Sequence, residues 1–144
     1  METRPSRPDR LKLITDMTEC HRLRVLVVDD NEDSAESLAM LLELNGHDVR
    51  TAHDGPRALV VAGEHRPDFI LLDIGMPGMN GFEVAARLRQ QPETRDVLLI
   101  AMTGWGQEED RRKSKEAGFD RHLVKPLNPK ALDDLLARVV PRRG

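Results

Sequence analysis

The sequence contains few of the residues that characterise disulfide-rich, secreted or membrane proteins. Cys20 is the single cysteine, so no disulfide can form within the chain, in agreement with a reducing compartment. No apolar run approaches the roughly 20 residues that cross a bilayer, and the first residues lack the apolar core of a signal peptide. We therefore expect a cytoplasmic protein that does not contact a membrane.

The sequence also lacks an excess of positive charge and has few aromatic residues. The net charge is −3, with 25 acidic residues against 22 basic residues mixed along the sequence. The three phenylalanines and one tryptophan do not form a basic stripe on which bases could stack. Since no broad positive field is present, we expect that the chain does not bind nucleic acid.

Short apolar runs alternate with longer segments of helical period from residue 23 onward. The 144 residues, 39% of them hydrophobic, suffice for one domain with a buried core. We predict strands at residues 23–28, 48–53, 69–72, 97–102 and 121–124, each followed by a helix. This alternation of five strands and five helices predicts an α/β fold with a doubly wound parallel sheet.

Capping residues and helix breakers mark the ends of the predicted helices. The first helix starts near Asn31 or Ser34 and ends at Asn45-Gly46, with an apolar face of Leu38, Leu41, Leu42 and Leu44. We place the others at about residues 54–66, 80–91, 107–117 and 128–140. Residues 22–144 form the predicted domain. Residues 1–21 are expected to be a flexible N-terminal extension rather than a docking or dimer helix.

Charged and polar residues follow the predicted strands. Asp29 and Asp30 follow the first strand, Asp73 the third and Lys125 the fifth, and Thr103 follows the fourth. The carboxyl ends of parallel strands meet at one edge of the sheet, where ligands bind in open α/β sheets. The second strand ends in His53 and contributes no similar charged group, as expected if that strand lies at an edge away from the crevice.

Three neighbouring carboxylates repel one another unless a cation neutralises them. Oxygen ligands favour Mg²⁺, which usually binds one or two carboxylates together with phosphate oxygens. With Mg²⁺ on one side and the ammonium of Lys125 on the other, an Asp73 oxygen could attack phosphorus, and Thr103 could bind a phosphoryl oxygen. The pattern therefore predicts phosphoryl chemistry.

These residues resemble the receiver domain of two-component response regulators, over roughly residues 23–140. The resemblance rests on four motifs: Asp29-Asp30, the segment from Asp73 to Gly81, Thr103-Gly104 and Lys125-Pro126. It implies a flavodoxin-like strand order of 2-1-3-4-5. It also implies that Asp73 accepts the phosphoryl group, that Asp29, Asp30, Asp73 and the Gly75 carbonyl serve the metal, and that Thr103 and Lys125 contact the phosphoryl group. The Lys125-Pro126 peptide is expected to be cis.

Two positions depart from the commonest family pattern: residue 122, and Trp105, a bulky residue close to Thr103 in the sequence, at a position where family members vary. Family members usually have an aromatic switch residue three positions before the lysine, whereas this chain has His122, which is smaller and can titrate. We keep two interpretations of His122: an altered switch together with Thr103, or a half-buried strand residue. The other histidines, His21, His47, His53 and His65, lack metal-ligand spacing, and we expect most histidines at the surface.

The resemblance implies a signalling module rather than an enzyme. A histidine kinase or histidine phosphotransfer protein would phosphorylate Asp73, and the signal would pass to a downstream protein target, with a homodimer as a possible form. The sequence ends at Gly144 without an output domain, and three interpretations stay open: a module that acts alone by protein contact, one that passes the phosphoryl group onward, and a piece of a longer kinase or regulator. One alternative is a Mg-dependent phosphatase with an aspartyl nucleophile, but such enzymes need a second acid where this chain has Gly75. The other is a phosphorylation-independent docking domain, which usually lacks the acidic residues.

Overall fold

The fold is built on one parallel sheet of five strands. A computed structural model describes residues 22–75, 81–103, 117–125 and 127–138. The strand order is β2-β1-β3-β4-β5, so the predicted order is confirmed. The strands are β1 (Arg24–Val28), β2 (Asp48–Ala52), β3 (Phe69–Asp73), β4 (Leu98–Thr103) and β5 (Arg121–Val124).

The central strands are buried on both faces, and continuous apolar runs of the sequence form them for this reason. Val25 to Val28 and Phe69 to Leu72 are fully buried, whereas β2 and β5 at the edges retain exposed residues. Alternate residues of each central strand contribute to two apolar clusters, one on each face of the sheet. Leu26 and Ile70 belong to one cluster, Val25 and Phe69 to the other.

Helices cover both faces, as expected for a doubly wound sheet. The described residues contain α1 (Glu32–Leu44), α2 (Gly55–His65), α3 (Gly81–Gln90) and α4 (Pro129–Leu136). Helices α1 and α4 pack on one cluster, and α2 and α3 pack on the other. The predicted fourth helix, at 107–117, lies outside the described residues apart from its last residue. The predicted extension over residues 1–21 also lies outside them.

Side-chain caps begin three of these helices. The carboxamide of Asn31 accepts the Ser34 N–H at 3.0 Å, so Asn31 is the N-cap of α1 and Ser34 lies inside the helix. Asp54 and Asn128 cap α2 and α4, and proline occupies the first turn of both helices. The described part of the chain includes no helix with the length and apolarity needed to span a membrane.

Two expectations about burial were wrong. Leu44 is 79% exposed, although it was assigned to the apolar face of α1. It lies two residues after the buried Leu42, about 200° around the helix axis, and so points away from the sheet. Three histidines other than His122 are also less exposed than expected: His65 is buried, and His47 and His53 are half-buried.

The N-terminus of α3 packs directly against the chain segment that follows β3. A Cβ added to Gly81 would lie 2.5 Å from Ile74 Cα and 2.9 Å from the Asp73 carbonyl oxygen. Both neighbours are backbone atoms, so a side chain at Gly81 would displace the end of β3. This close approach of the two backbones fixes the position of Asp73 at the end of β3.

Arg89, near the C-terminal end of α3, joins the helix to the segments just before the starts of β4 and β5. Its guanidinium donates to the carbonyl oxygens of Arg95 at 2.8 Å, Val97 at 2.6 Å and Gly118 at 2.6 Å. It also pairs with the Asp120 carboxylate at 2.8 Å. One side chain thus ties α3 to the segments that lead into β4 and β5.

Candidate functional site

The carboxyl edge of the sheet brings together acids from β1 and β3 and a lysine from β5. The ammonium of Lys125 lies 2.8 Å from Asp29 Oδ2 and 3.2 Å from Asp73 Oδ2. Asp29 is almost fully buried, and the Lys125 side chain is 32% exposed. The predicted convergence of these three residues is therefore confirmed. Lys125 and Asp29 are 96 positions apart in the sequence.

Asp30 completes a cluster of three carboxylates. Asp29, Asp30 and Asp73 can each offer one oxygen such that the three atoms lie within 4.8 Å of one another. Asp29 is buried, Asp73 is partly buried and Asp30 is exposed to solvent. An all-oxygen donor set of this size, open on one side, fits a hard divalent cation that keeps some of its water.

Backbone amides orient two of the acids. The N–H of Gly75 donates to Asp73 Oδ1 at 2.8 Å, and the N–H of Asn31 donates to Asp29 Oδ1 at 3.0 Å. Each carboxylate therefore has one oxygen fixed by the main chain and the other by Lys125. Since every carboxylate oxygen has two lone pairs, both acids keep acceptor capacity for a further ligand.

The pKa values of the site reflect this crowding. Burial raises the pKa of Asp73, and the charge of Asp29 raises it further, while the Gly75 N–H and the ammonium of Lys125 lower it without cancelling the rise. For Lys125, burial lowers the pKa, but its hydrogen bonds and charge interactions with Asp29 and Asp73 outweigh burial and raise it overall. The ammonium form is thus firmly held, and the Asp73 carboxylate is made more basic.

Thr103 ends β4 beside this cluster. The residue is 1% exposed, and its hydroxyl has no hydrogen-bond partner among the residues that the structure describes. Its carbonyl oxygen accepts the backbone N–H of Lys125 at 2.7 Å, which locks the ends of β4 and β5 together. A buried hydroxyl without a protein partner is available to a bound group.

His122 lies in the edge strand β5, which β4 separates from the Asp73 strand β3. It is half-buried in β5, in register with Ala101 of β4, and its neighbour Leu123 packs on the cluster of α1 and α4. Side chains alternate along a strand, so His122 faces the side covered by α2 and α3. Pro126 and most of the predicted motif after Asp73, residues 76–80, lie outside the described residues, so the cis peptide stays a prediction.

His53 contacts the main chain of the acidic pair, and this contact was not predicted from the sequence. Strand β2 does lie at the edge of the sheet, but the imidazole Nδ1 of His53 is 3.1 Å from the carbonyl oxygen of Asp29. Of the described residues, those of strand β2 add no acid or lysine to the cluster, but the side chain at the end of the strand reaches the neighbouring main chain. A histidine directly after a strand that neighbours β1 was the signal available in the sequence.

Comparisons with known proteins agree with this arrangement. Residues 25–137 match the family model of the response regulator receiver domain. The DNA-binding dual master transcriptional regulator RpaA of Synechocystis sp. is 34% identical over 116 residues, which make up 81% of this chain and 47% of RpaA. The chain spans about half or less of the curated relatives it matches.

Solved structures show the same fold. The chemotaxis protein CheY4 of Vibrio cholerae superposes with a TM-score of 0.77 at 34% identity, covering 83% of this chain and 99% of CheY4. The receiver domain of the sensor histidine kinase PA1611 from Pseudomonas aeruginosa, which has a magnesium ion coordinated in its active site cleft, superposes with a TM-score of 0.74 at 30% identity and covers 82% of this chain and 97% of that domain. This chain belongs to the family of response regulator receiver domains of two-component signalling systems.

Proposed function

We propose that Asp73 is the phosphoacceptor of this receiver and takes its phosphoryl group from a phosphohistidine on a histidine kinase or phosphotransfer protein. One observation carries the proposal: three carboxylates and one ammonium converge at the carboxyl edge, with Lys125 bonded to Asp29 and Asp73. Among these acids, Asp73 combines partial burial with a raised pKa, which favours a nucleophilic role.

The transfer requires one new bond and the loss of another. An Asp73 carboxylate oxygen forms a bond to phosphorus while the bond from phosphorus to the donor nitrogen breaks, and the imidazole keeps the electron pair of that bond. The Gly75 N–H and the Lys125 ammonium hold the carboxylate in place during this step. Lys125 and the buried Thr103 hydroxyl then bind phosphoryl oxygens.

Asp29, Asp30, Asp73 and the Gly75 carbonyl would hold Mg²⁺. When bound, the ion supplies positive charge that offsets the charge of the phosphoryl oxygens. The fit rests on the donor set, because the three carboxylate oxygens lie within 4.8 Å of one another and Lys125 balances part of their charge. The magnesium in the PA1611 receiver supports the same assignment.

The signal would pass through protein contacts. Phosphorylation of Asp73 would pull on the Thr103 hydroxyl, and His122, in the next strand, would adjust as the second switch residue. The peptide before Pro126 would aim Lys125. We further propose a downstream protein target, a cytoplasmic location, a possible homodimer and no contact with membrane or nucleic acid. The proposal that the chain does not bind nucleic acid rests on its charge balance. The relative RpaA, by contrast, is named as DNA-binding.

The test is phosphorylation by a small acyl phosphate in the presence of Mg²⁺. Wild type, Asp73→Asn and the control Asp134→Asn, an exposed acid of α4, are incubated with acetyl phosphate and weighed by mass spectrometry. We expect a magnesium-dependent gain of one phosphoryl group in wild type and in the control, and no gain in Asp73→Asn. Equal labelling of all three proteins would exclude Asp73 as the acceptor.

The same experiment separates the two alternatives. Sustained release of phosphate from a generic phosphate ester would indicate a phosphatase, although Gly75 occupies the position where such an enzyme needs its second acid. Absence of labelling in wild type, with the fold and partner binding intact, would indicate a docking domain that works without phosphorylation.

A further inference from the structure

His53 lies at the end of the edge strand β2 and contacts the backbone of β1. Its ring nitrogen Nδ1 is 3.1 Å from the Asp29 carbonyl oxygen. A carbonyl oxygen can only accept a hydrogen bond, so Nδ1 must carry the proton in this contact. His53 therefore acts as a donor to the main chain of the acidic pair.

This contact replaces a missing rung of the β1–β2 ladder. The last paired residues of the two strands are Val28 and Ala52, and the N–H of the next residue, Asp29, donates to the Ala52 carbonyl at 3.1 Å. In a continuing parallel ladder, the next donor to the Asp29 carbonyl would be the backbone N–H of Asp54. The chain instead turns into α2 with Asp54 as its N-cap, and the His53 ring supplies the donor in its place.

The bonded carbonyl determines how the chain continues to Asp30. The Asp29 carbonyl and the Asp30 N–H belong to one rigid planar peptide unit. Fixing the carbonyl direction therefore fixes the peptide from which Asp30 departs. The Asp29 side chain is already fixed by Lys125 and by the Asn31 N–H. Asp30, by contrast, is exposed, so its position depends on this peptide.

We infer that His53 is a positioning residue for the magnesium site: its Nδ1–H orients the Asp29–Asp30 peptide and so holds the Asp30 carboxylate within reach of the Asp73 carboxylate. The inference rests on the proposed function, because it assigns a role toward the same metal. Partners that orient metal ligands typically change metal affinity by about 10- to 100-fold when removed. His53 is half-buried and acts through the backbone, so we expect about the lower end, roughly tenfold.

The experiment measures Mg²⁺ binding to the purified, metal-free protein by isothermal titration calorimetry. His53→Ala and His53→Phe remove the donor, one without and one with the bulk of the ring, whereas His53→Asn keeps an N–H near the position of Nδ1. We expect Mg²⁺ to bind about tenfold more weakly to the Ala and Phe variants and within about twofold of wild type to the Asn variant. Thermal melting in a chelator shows independently whether each variant is folded.

Each result decides the inference. Weaker binding in both the folded Ala variant and the folded Phe variant, together with recovery in the Asn variant, supports it, since a purely structural role would change the melting temperature and not the affinity of the folded protein. Wild-type affinity in either the Ala or the Phe variant overturns it, and so does an Asn variant as weak as Ala. Absence of Mg²⁺ binding to wild type would overturn the proposed function as well, which distinguishes the two failures.

Discussion

Replacing the proposed phosphoacceptor by its neutral isostere should stabilise the metal-free protein. Asn at position 73 retains an oxygen that can accept the Gly75 N–H, which now donates to Asp73 Oδ1 at 2.8 Å. The substitution removes one negative charge from the cluster with Asp29 and Asp30. Lys125 keeps its shorter bond, to Asp29, at 2.8 Å. The expected result therefore depends on electrostatics, with packing nearly unchanged.

Coulomb energies at an effective dielectric constant of about 20 give the magnitude. Two carboxylates 4.8 Å apart, the upper limit for this cluster, repel by about 3.5 kcal/mol, and Asp73 has two such neighbours. The attraction between Asp73 and Lys125 at 3.2 Å is about 5 kcal/mol. Repulsion exceeds attraction by about 2 kcal/mol, and the exposure of Asp30 reduces this figure. We expect Asp73→Asn to gain about 1 to 2 kcal/mol.

The sign agrees with the direction of the Asp73 pKa. Burial and Asp29 raise this pKa in the folded state, so folding disfavours the charged form at neutral pH. The penalty is complete above the raised pKa and disappears as the pH falls towards the ordinary carboxyl value of about 3.9. The advantage of Asp73→Asn should therefore shrink as the pH is lowered from neutral.

Urea unfolding in a chelator at neutral pH measures the effect, with Asp134→Asn as the control that should stay within about 0.5 kcal/mol of wild type. Repeating the measurement with Mg²⁺ tests the metal. At 100 times its dissociation constant, a ligand adds about 2.7 kcal/mol to the protein that binds it. Asp73→Asn lacks the charged carboxylate that would bind the ion, so Mg²⁺ should stabilise it less than it stabilises wild type. The stability advantage of the variant over wild type should therefore shrink or reverse. A variant less stable than wild type without metal would refute the electrostatic reasoning.

Three further changes test other contacts. Arg89→Met leaves carbonyl and carboxylate acceptors without their donor, so the free energy of unfolding in urea should fall by about 3 kcal/mol. A change below about 0.5 kcal/mol would contradict a stabilising role of the Arg89 hydrogen bonds. His47 accepts the Leu23 N–H at Nδ1, and burial lowers its pKa, so stability should fall as the pH drops below about 6.5. His47→Asn should flatten part of that pH dependence; an unchanged urea midpoint profile would speak against it. Gly81→Ala should destabilise by about 2 kcal/mol and slow acetyl phosphate labelling, because its Cβ would meet the backbone at Ile74. The control Gly63→Ala has open space and should be neutral or stabilising by melting temperature, and equal effects of the two would argue against the close approach.

The strands could be predicted because buried parallel strands are continuous apolar runs bounded by polar residues. Strand β5 was predicted with the observed bounds, and β4 was displaced by one residue at both ends. Residue spacing was less informative for α1, where Leu44 continued a run of leucines but lies off the buried stripe. Helical phase is sensitive to a shift of one or two residues, and the composition of the run does not reveal it.

The acidic site was predictable for a different reason. Parallel strands place their carboxyl ends at one edge, so Asp29, Asp73 and Lys125 had to meet once the strands were assigned. The contact between His53 and the Asp29 carbonyl follows no such rule. A bond from a side chain to a distant main-chain atom leaves no periodic trace, and neither do the bonds of Arg89.

Lys125 couples the charge of Asp73 to the ends of strands β4 and β5. The Lys125 ammonium bonds to Asp73, and the Lys125 N–H bonds to the Thr103 carbonyl, so β5 contacts both the acid and the end of β4. A change of charge at Asp73 alters the pull on Lys125 and thereby the junction of these strands. Coupling of this kind is reciprocal: a partner that binds one arrangement of β4 and β5 more tightly must also favour the charge state of Asp73 that produces it.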